Sequence, residues 1–233
     1  MLQNTKELYG HTLAALDGDV GHVKDFYFDD KTWVIRYLVA DTGTWLTGRQ
    51  VLLSPHSFGM IDHHEKTLHL KLLKKQIENS PSIESDRPVS RQYEEDYYSY
   101  FGWPAYWEGG AMWGTGGYPV AMAMPETTLD KLARHAHDRP DDPHLRSTKD
   151  VTGYHIQATD GVLGSVSGFM VNERNWAIAD MVAETGHWYA GKEILIPAAK
   201  IKHISYEDSK VFVNLTIADL KRTAEDHVAA AVA

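Results

Sequence analysis

Trp33-Val34-Ile35-Arg36-Tyr37-Leu38-Val39-Ala40-Asp41-Thr42-Gly43-Thr44-Trp45 recurs 143 positions later as Trp176-Ala177-Ile178-Ala179-Asp180-Met181-Val182-Ala183-Glu184-Thr185-Gly186-His187-Trp188. Each version opens with an aromatic and β-branched run that favours a strand, then reaches Thr-Gly-x-Trp, whose glycine marks a turn. Working outward, Gly10 through Ile77 lies on Gly153 through Leu220 without a gap. Asp17-Gly18 meets Asp160-Gly161, Gly21 meets Gly164, Val23 and Phe26 meet Val166 and Phe169, and Gly48 meets Gly191. Two tryptophans and five glycines coincide. Their size or backbone freedom is hard to replace, so the coincidence identifies a duplicated unit. Two copies are too few for a solenoid. The predicted organisation is a first domain at 1–78, a connector at 79–150, a second domain at 151–222 and a tail at 223–233.

Within one copy, Asp17-Gly18 reads as a tight turn. Val20 to Phe28 reads as a strand, and Gly21 inside it predicts a bulge or the close approach of another backbone. Asp29 to Thr32 is a polar turn, and Trp33 to Ala40 a central strand. Val51 to Leu53 is a short strand ended near Pro55. Phe58 to Asp62 and Leu68 to Leu72 form a last hairpin around His63-His64-Glu65-Lys66, and a helical turn follows at Lys74 to Glu78. Five or six short strands in about seventy residues predict a mostly β chain of two small barrels or sandwiches. Closing each sheet would remove its exposed edges. Trp33 and Trp176 are expected to plug the two cores.

The ordered set Asp-Gly-x-x-Gly, Trp-x-Ile-x-x-x-Val and Thr-Gly-x-Trp-x-x-Gly-x-x-Val-Leu, present in the same order in both copies, resembles the PRC-barrel family. The segment from Asn79-Ser80-Pro81 through Val89-Ser90-Arg91-Gln92-Tyr93-Glu94 to Gly102-Trp103-Pro104-x-Tyr106-Trp107 is similar to the tail that follows such barrels in bacterial stand-alone members. The resemblance covers the chain apart from roughly residues 109–149. The family includes the cytoplasmic domain of the photosynthetic reaction centre H subunit and the C-terminal domain of the ribosome maturation factor RimM, where the barrel is a docking module. It implies two tandem barrels and carries no catalytic residues. The membrane helix of the one relative and the second domain of the other have no counterpart here, so neither role transfers with the fold.

The connector has its own composition. Tyr93, Tyr97, Tyr98, Tyr100, Phe101, Trp103, Tyr106, Trp107 and Trp113 are interleaved with Glu94, Glu95 and Asp96. Gly109 to Gly117 reads as a loop, and Thr127 to Ala136 carries the cap and spacing of a short helix near 126–137. So many rings cannot all stay wet. They either pack the barrels together or form a recognition or self-association surface, while a base-stacking platform would need a positive groove that the acidic neighbours oppose. Tyr97, Tyr98, Trp103, Tyr106 and Trp107 are therefore candidate surface or inter-barrel residues. Arg36 and Asp180 join them, because Arg36-Tyr37 in the first copy becomes Ala179-Asp180 in the second, which reads as a change of exposed chemistry on a kept framework.

Charge and composition narrow the function. The formal net charge of -9 opposes a nucleic-acid partner or an anionic membrane surface. No run approaches the roughly 18 apolar residues of a membrane span. The polar first residues, Met1 to Glu7, lack a secretory apolar run, so a cytoplasmic location is expected. The chain has no cysteine, which excludes disulfides and thiolate chemistry. Among thirteen histidines, His135, His137, Asp141, Asp142 and His144 crowd together, and His63-His64 sit in a turn. Helical zinc pairs prefer spacings of three or four, and no histidine of the first copy recurs as histidine in the second, so no metal is assigned. Gly164-Ser165-Val166-Ser167-Gly168 lies in a strand and is not a nucleophile elbow. Asp17 and Asp160 fit turns. The expectation is a non-catalytic binding or scaffold protein without cofactor, with an unidentified protein partner or homo-oligomer. The alternatives are an accessory subunit of a membrane-associated complex and an enzyme of unrecognised type.

Overall fold

The computed structural model describes residues 1–46, 49–81, 89, 91–120, 145–185, 193–220 and 222. The expected helix near 126–137, the histidines beyond it, Trp188 and the tail at 223–233 lie outside the described residues. The chain is mostly β. In order it forms β1 (Leu2–Asn4), α1 (Thr5–Leu8), β2 (Thr12–Ala15), β3 (Gly18–Asp29), β4 (Val34–Asp41), β5 (Gln50–Leu53), β6 (Phe58–Asp62), β7 (Thr67–Leu70), α2 (Lys74–Glu78) and α3 (Arg91–Phe101). Then follow β8 (Leu145–Ser147), α4 (Thr148–Val151), β9 (His155–Ala158), β10 (Gly161–Asn172), β11 (Ile178–Thr185), β12 (Glu193–Pro197), β13 (Ile201–Ser205) and β14 (Lys210–Val213).

These strands make two seven-stranded sheets. One runs β5-β4-β3-β2-β7-β6, with β8 added on β3; the other runs β12-β11-β10-β9-β14-β13, with β1 added on β10. The registers coincide as well. The parallel pairs Thr12–Thr67 and Leu13–Leu68 reappear as His155–Lys210 and Ile156–Val211. Among the described residues, four other than glycine have positive φ, and they form two matched pairs: Trp33 (56°) with Trp176 (59°), and Lys66 (49°) with Ser209 (51°). The correspondence also reaches further back than Gly10, since β1-α1 and β8-α4 are matched elements at the same offset.

The close approach predicted at Gly21 is present. Its φ is +131°, and a Cβ there would collide with the Asp41 carbonyl oxygen on β4. Gly164 stands against the Glu184 carbonyl oxygen in the same way. Each glycine lies beside a register slip in its hairpin, between Leu13 and Ala14 in one case and between Val162 and Gly164 in the other. Asp17 and Asp160 do more than shape turns. Asp17 Oδ1 accepts the Lys74 N–H at 2.7 Å and Asp160 Oδ1 the Ile217 N–H at 2.9 Å, each capping the helical turn that ends its copy.

Two expectations need correction. Among the described residues the sheet paths stay open: β5 and β6 are the ends of one, β12 and β13 of the other. The chain turns between those ends through 3₁₀ turns at Pro55–Ser57 and Ala198–Lys200. Secondly, Trp33 does not begin β4 or plug a core. It occupies the turn before β4, half-buried, with its ring stacked 5.5 Å from Phe28. Its backbone is left-handed there, with φ of 56°, so it cannot extend the strand.

The chain divides into two compact units. One contains Leu8–Arg146 with Arg174–Trp176, the other Met1–Glu7, Ser147–Glu173 and Ala177–Ala233. Leu13, Val23, Phe26, Leu38, Leu53 and Leu68 are buried in the first, and their counterparts Ile156, Val166, Phe169, Met181, Ile196 and Val211 in the second. Each such side chain contributes about 1.5–3 kcal/mol when fully buried. Trp176 is a buried indole of the first unit, 4.7 Å from Phe58 and 6.0 Å from Phe26, and its carbonyl accepts the Ile35 N–H.

Candidate functional site

The candidate residues gather on β4, on the corner after β5, and on α3 with the loop behind it. α3 is the helix that composition alone concealed. Glu94, Tyr97, Tyr98 and Phe101 recur at i, i+3, i+4 and i+7, the spacing of one helical face. Glu94, Tyr97 and Tyr98 are buried, while Asp96, Ser99 and Tyr100 on the opposite side are exposed. Gly109 and Gly114 let the following loop fold back on itself, because a Cβ on Gly109 would meet the Gly114 carbonyl.

This helix and loop cover Arg36 and Tyr37. Arg36 is 2% exposed. Its guanidinium lies 3.9 Å from the centre of the Tyr106 ring and 4.9 Å from that of Trp113. It donates to the Met112 carbonyl at 2.6 Å and to Thr32 Oγ1 at 3.1 Å, with Asp29 Oδ2 3.8 Å away. Its Nε has no hydrogen-bond partner. Beside it, Glu94 Oε1 accepts from the Tyr37 hydroxyl at 3.2 Å and the Tyr106 hydroxyl at 2.7 Å, and Glu94 Oε2 pairs with Arg91 at 2.9 Å. Arg91 in turn lies 4.3 Å over the half-buried Trp107 ring.

His56, on the corner turn, completes the cluster. Trp103 stacks on it at 5.3 Å, and Tyr98 and Trp113 meet it edge-on at 5.6 and 5.1 Å. Ser54 Oγ sits 3.0 Å from its Nδ1, and the Ser54 N–H donates to the Tyr97 hydroxyl. Burial first, then Arg36 and Lys71, lower the imidazole to about 4. Burial first, and then the Glu94 carboxylate, push the phenols of Tyr37 and Tyr106 well above the ordinary tyrosine value. The arrangement at neutral pH is therefore a neutral imidazole and protonated phenols around Arg36, Arg91 and Glu94.

Residues 11–77, which hold β2 to β7 and most of α2, match the PRC-barrel domain family. This stretch is a PRC-barrel domain. Arg36, Tyr37 and His56 belong to the PRC-barrel domain itself, whereas Glu94, Tyr97, Tyr98, Trp103, Tyr106 and Trp107 come from the segment after it. No curated protein matches the chain.

Arg36 and the five aromatic candidates are thus brought together, in one unit. Asp180 is not among them. It lies half-exposed on β11 of the other unit, opposite Pro197 and Met170. The expectation that positions 36 and 37 carry exposed chemistry in both copies is corrected. Arg36 and Tyr37 are buried because α3 and its loop lie over them, while Ala179 is exposed and Asp180 half-exposed. His56, Glu94 and Arg91, the polar centre of the cluster, were not singled out from sequence; the spacing of Glu94 with its tyrosines was the available signal.

The other chemical candidates have structural surroundings. His64 Nδ1 lies 2.9 Å from Glu65 in the exposed β6–β7 turn, and Ser167 donates to Glu193 at 2.8 Å from within β10. Among the described residues no group of three or more His, Cys, Asp or Glu side chains could hold a metal ion. Among them, too, no helix is long and apolar enough to cross a membrane.

Proposed function

We propose that the protein is a non-catalytic binding or scaffold protein that docks a protein partner through the exposed faces of its two sheets, and that it works in the cytoplasm. The observation that carries this reading is the PRC-barrel domain at 11–77 together with a second sheet of the same strand order. Two copies of one framework, covered in one case and bare at the matching positions in the other, suit a protein that offers two different surfaces. Arg36, His56, Arg91 and Glu94 are engaged with neighbouring rings and polar groups inside the first unit, in the manner of a folded core. The negative net charge of -9 favours a partner with a basic surface over nucleic acid.

The experiment is capture of partners from a native lysate by the full chain, alongside an Asp180→Arg variant. The reading expects a reproducible protein partner whose recovery falls tenfold or more with a charge-reversed second-sheet face. A chain that turns over substrate instead, or retains nothing but nucleic acid, contradicts it. Light scattering across a concentration series tests self-association.

A further inference from the structure

The two sheets provide an internal comparison. The second reaches the same strand order and register with Ala179, Pro197, Ala199 and Lys200 exposed. Their counterparts in the first, Arg36, Ser54, His56 and Ser57, are all buried. A sheet of this kind thus assembles without a cover, and the cover over the first is an addition to it. That cover is also held in an unusual way: a buried arginine, a buried glutamate and a buried imidazole lie between the aromatic rings. Such polar contacts stabilise only while every partner keeps its charge state.

We propose that α3 and the aromatic loop behind it form a releasable cover over the first sheet, and that protonation of His56 opens it. The groups facing His56 leave no place for a new positive charge. β4 contributes Arg36, and Lys71 beyond β7 adds a second cation. α3 contributes the Tyr98 ring and the loop contributes Trp103 and Trp113, all uncharged. Its own turn offers Ser54 Oγ. The carboxylates of the cluster are engaged: Glu94 by Arg91, Tyr37 and Tyr106, and Asp29 by Arg36 and the N–H groups of Lys31 and Thr32. A proton on His56 adds charge to an enclosure that already holds Arg36, and moving α3 outward lets water reach the ring. The buried environment that holds the imidazole down to about 4 gives the device its range. Between the ordinary histidine value and about 4, the open-to-closed ratio rises by up to about tenfold per pH unit.

The test uses the full chain between pH 7.5 and 3.5. Near-ultraviolet circular dichroism and acrylamide quenching follow the tryptophans of the cover, far-ultraviolet dichroism follows the strands, and histidine proton resonances follow His56 directly. The proposal expects the near-ultraviolet signal to fall and quenching to rise as pH drops below about 6, while the strand signal persists. In His56→Gln the cover signal persists to lower pH. Simultaneous loss of cover and strand signals overturns the proposal, as does an unchanged acid profile in His56→Gln. If that variant does not fold, the native resonances decide: a His56 that titrates near 6.5 with the tryptophan signals unmoved also overturns it.

Discussion

The Arg36 guanidinium lies 3.9 Å from the centre of the Tyr106 ring, inside the first unit, with water almost wholly excluded. A desolvated cation over an aromatic face contributes about 2 kcal/mol. A double-mutant cycle on Arg36→Met and Tyr106→Leu, read by urea unfolding, should therefore give a coupling energy of about 2 kcal/mol. Arg36→Lys does not restore stability, because an ammonium group cannot keep the planar contact with the donations to Met112 and Thr32.

Glu94 ties three groups together, so its loss leaves each of them inside the cluster without its carboxylate. Glu94→Ala should cost about 3–5 kcal/mol, since removing one partner of a buried pair strands the other. Glu94→Gln keeps the shape and should cost less. Equilibrium unfolding of both variants checks the order.

Gly21→Ala and Gly164→Ala should fail alike, because each puts a methyl group against a backbone carbonyl that cannot move aside. A loss of about 3 kcal/mol or more is expected for each. Gly110→Ala is the control: nothing lies within 4 Å of a Cβ there. Thermal melts of the three variants decide whether the two copies share this constraint.

Acid should weaken the fold through His56. Its folded value, about 4, lies below the ordinary 6.5, so the folded chain resists the proton. The stability this contributes is fully present above about pH 6.5 and is lost as pH falls toward 4, by up to about 3 kcal/mol. Urea midpoints at pH 7, 5 and 4 should fall more steeply in the native chain than in His56→Gln.

The strands were legible because their residue types and turns report local geometry. Gly21 announced a close approach, and Asp17-Gly18 a turn, before any partner was visible. What decided the rest was distant in sequence. Asp17 caps a helix whose Lys74 lies 57 residues away. β1 pairs with β10, Leu2 opposite Asn172, which no local pattern could indicate. Arg36 looked like a surface residue because strand alternation does not foresee a helix laid across the outer face. α3 was missed for a different reason: its aromatic content drew more notice than its period. Trp33 was misplaced because a bulky residue with positive φ is rare, and its propensity points to a strand.

One position, compared in its two copies, tests the central claim most directly. Tyr37 and Asp180 occupy the same place in the repeat, the first buried under α3 and the second half-exposed on β11. The unfolding free energies of Tyr37→Ala and Asp180→Ala should differ widely, with about 3–5 kcal/mol lost for Tyr37→Ala and under about 1 kcal/mol for Asp180→Ala. Equal costs at the two sites would contradict the claim that the first sheet is covered where the second is not.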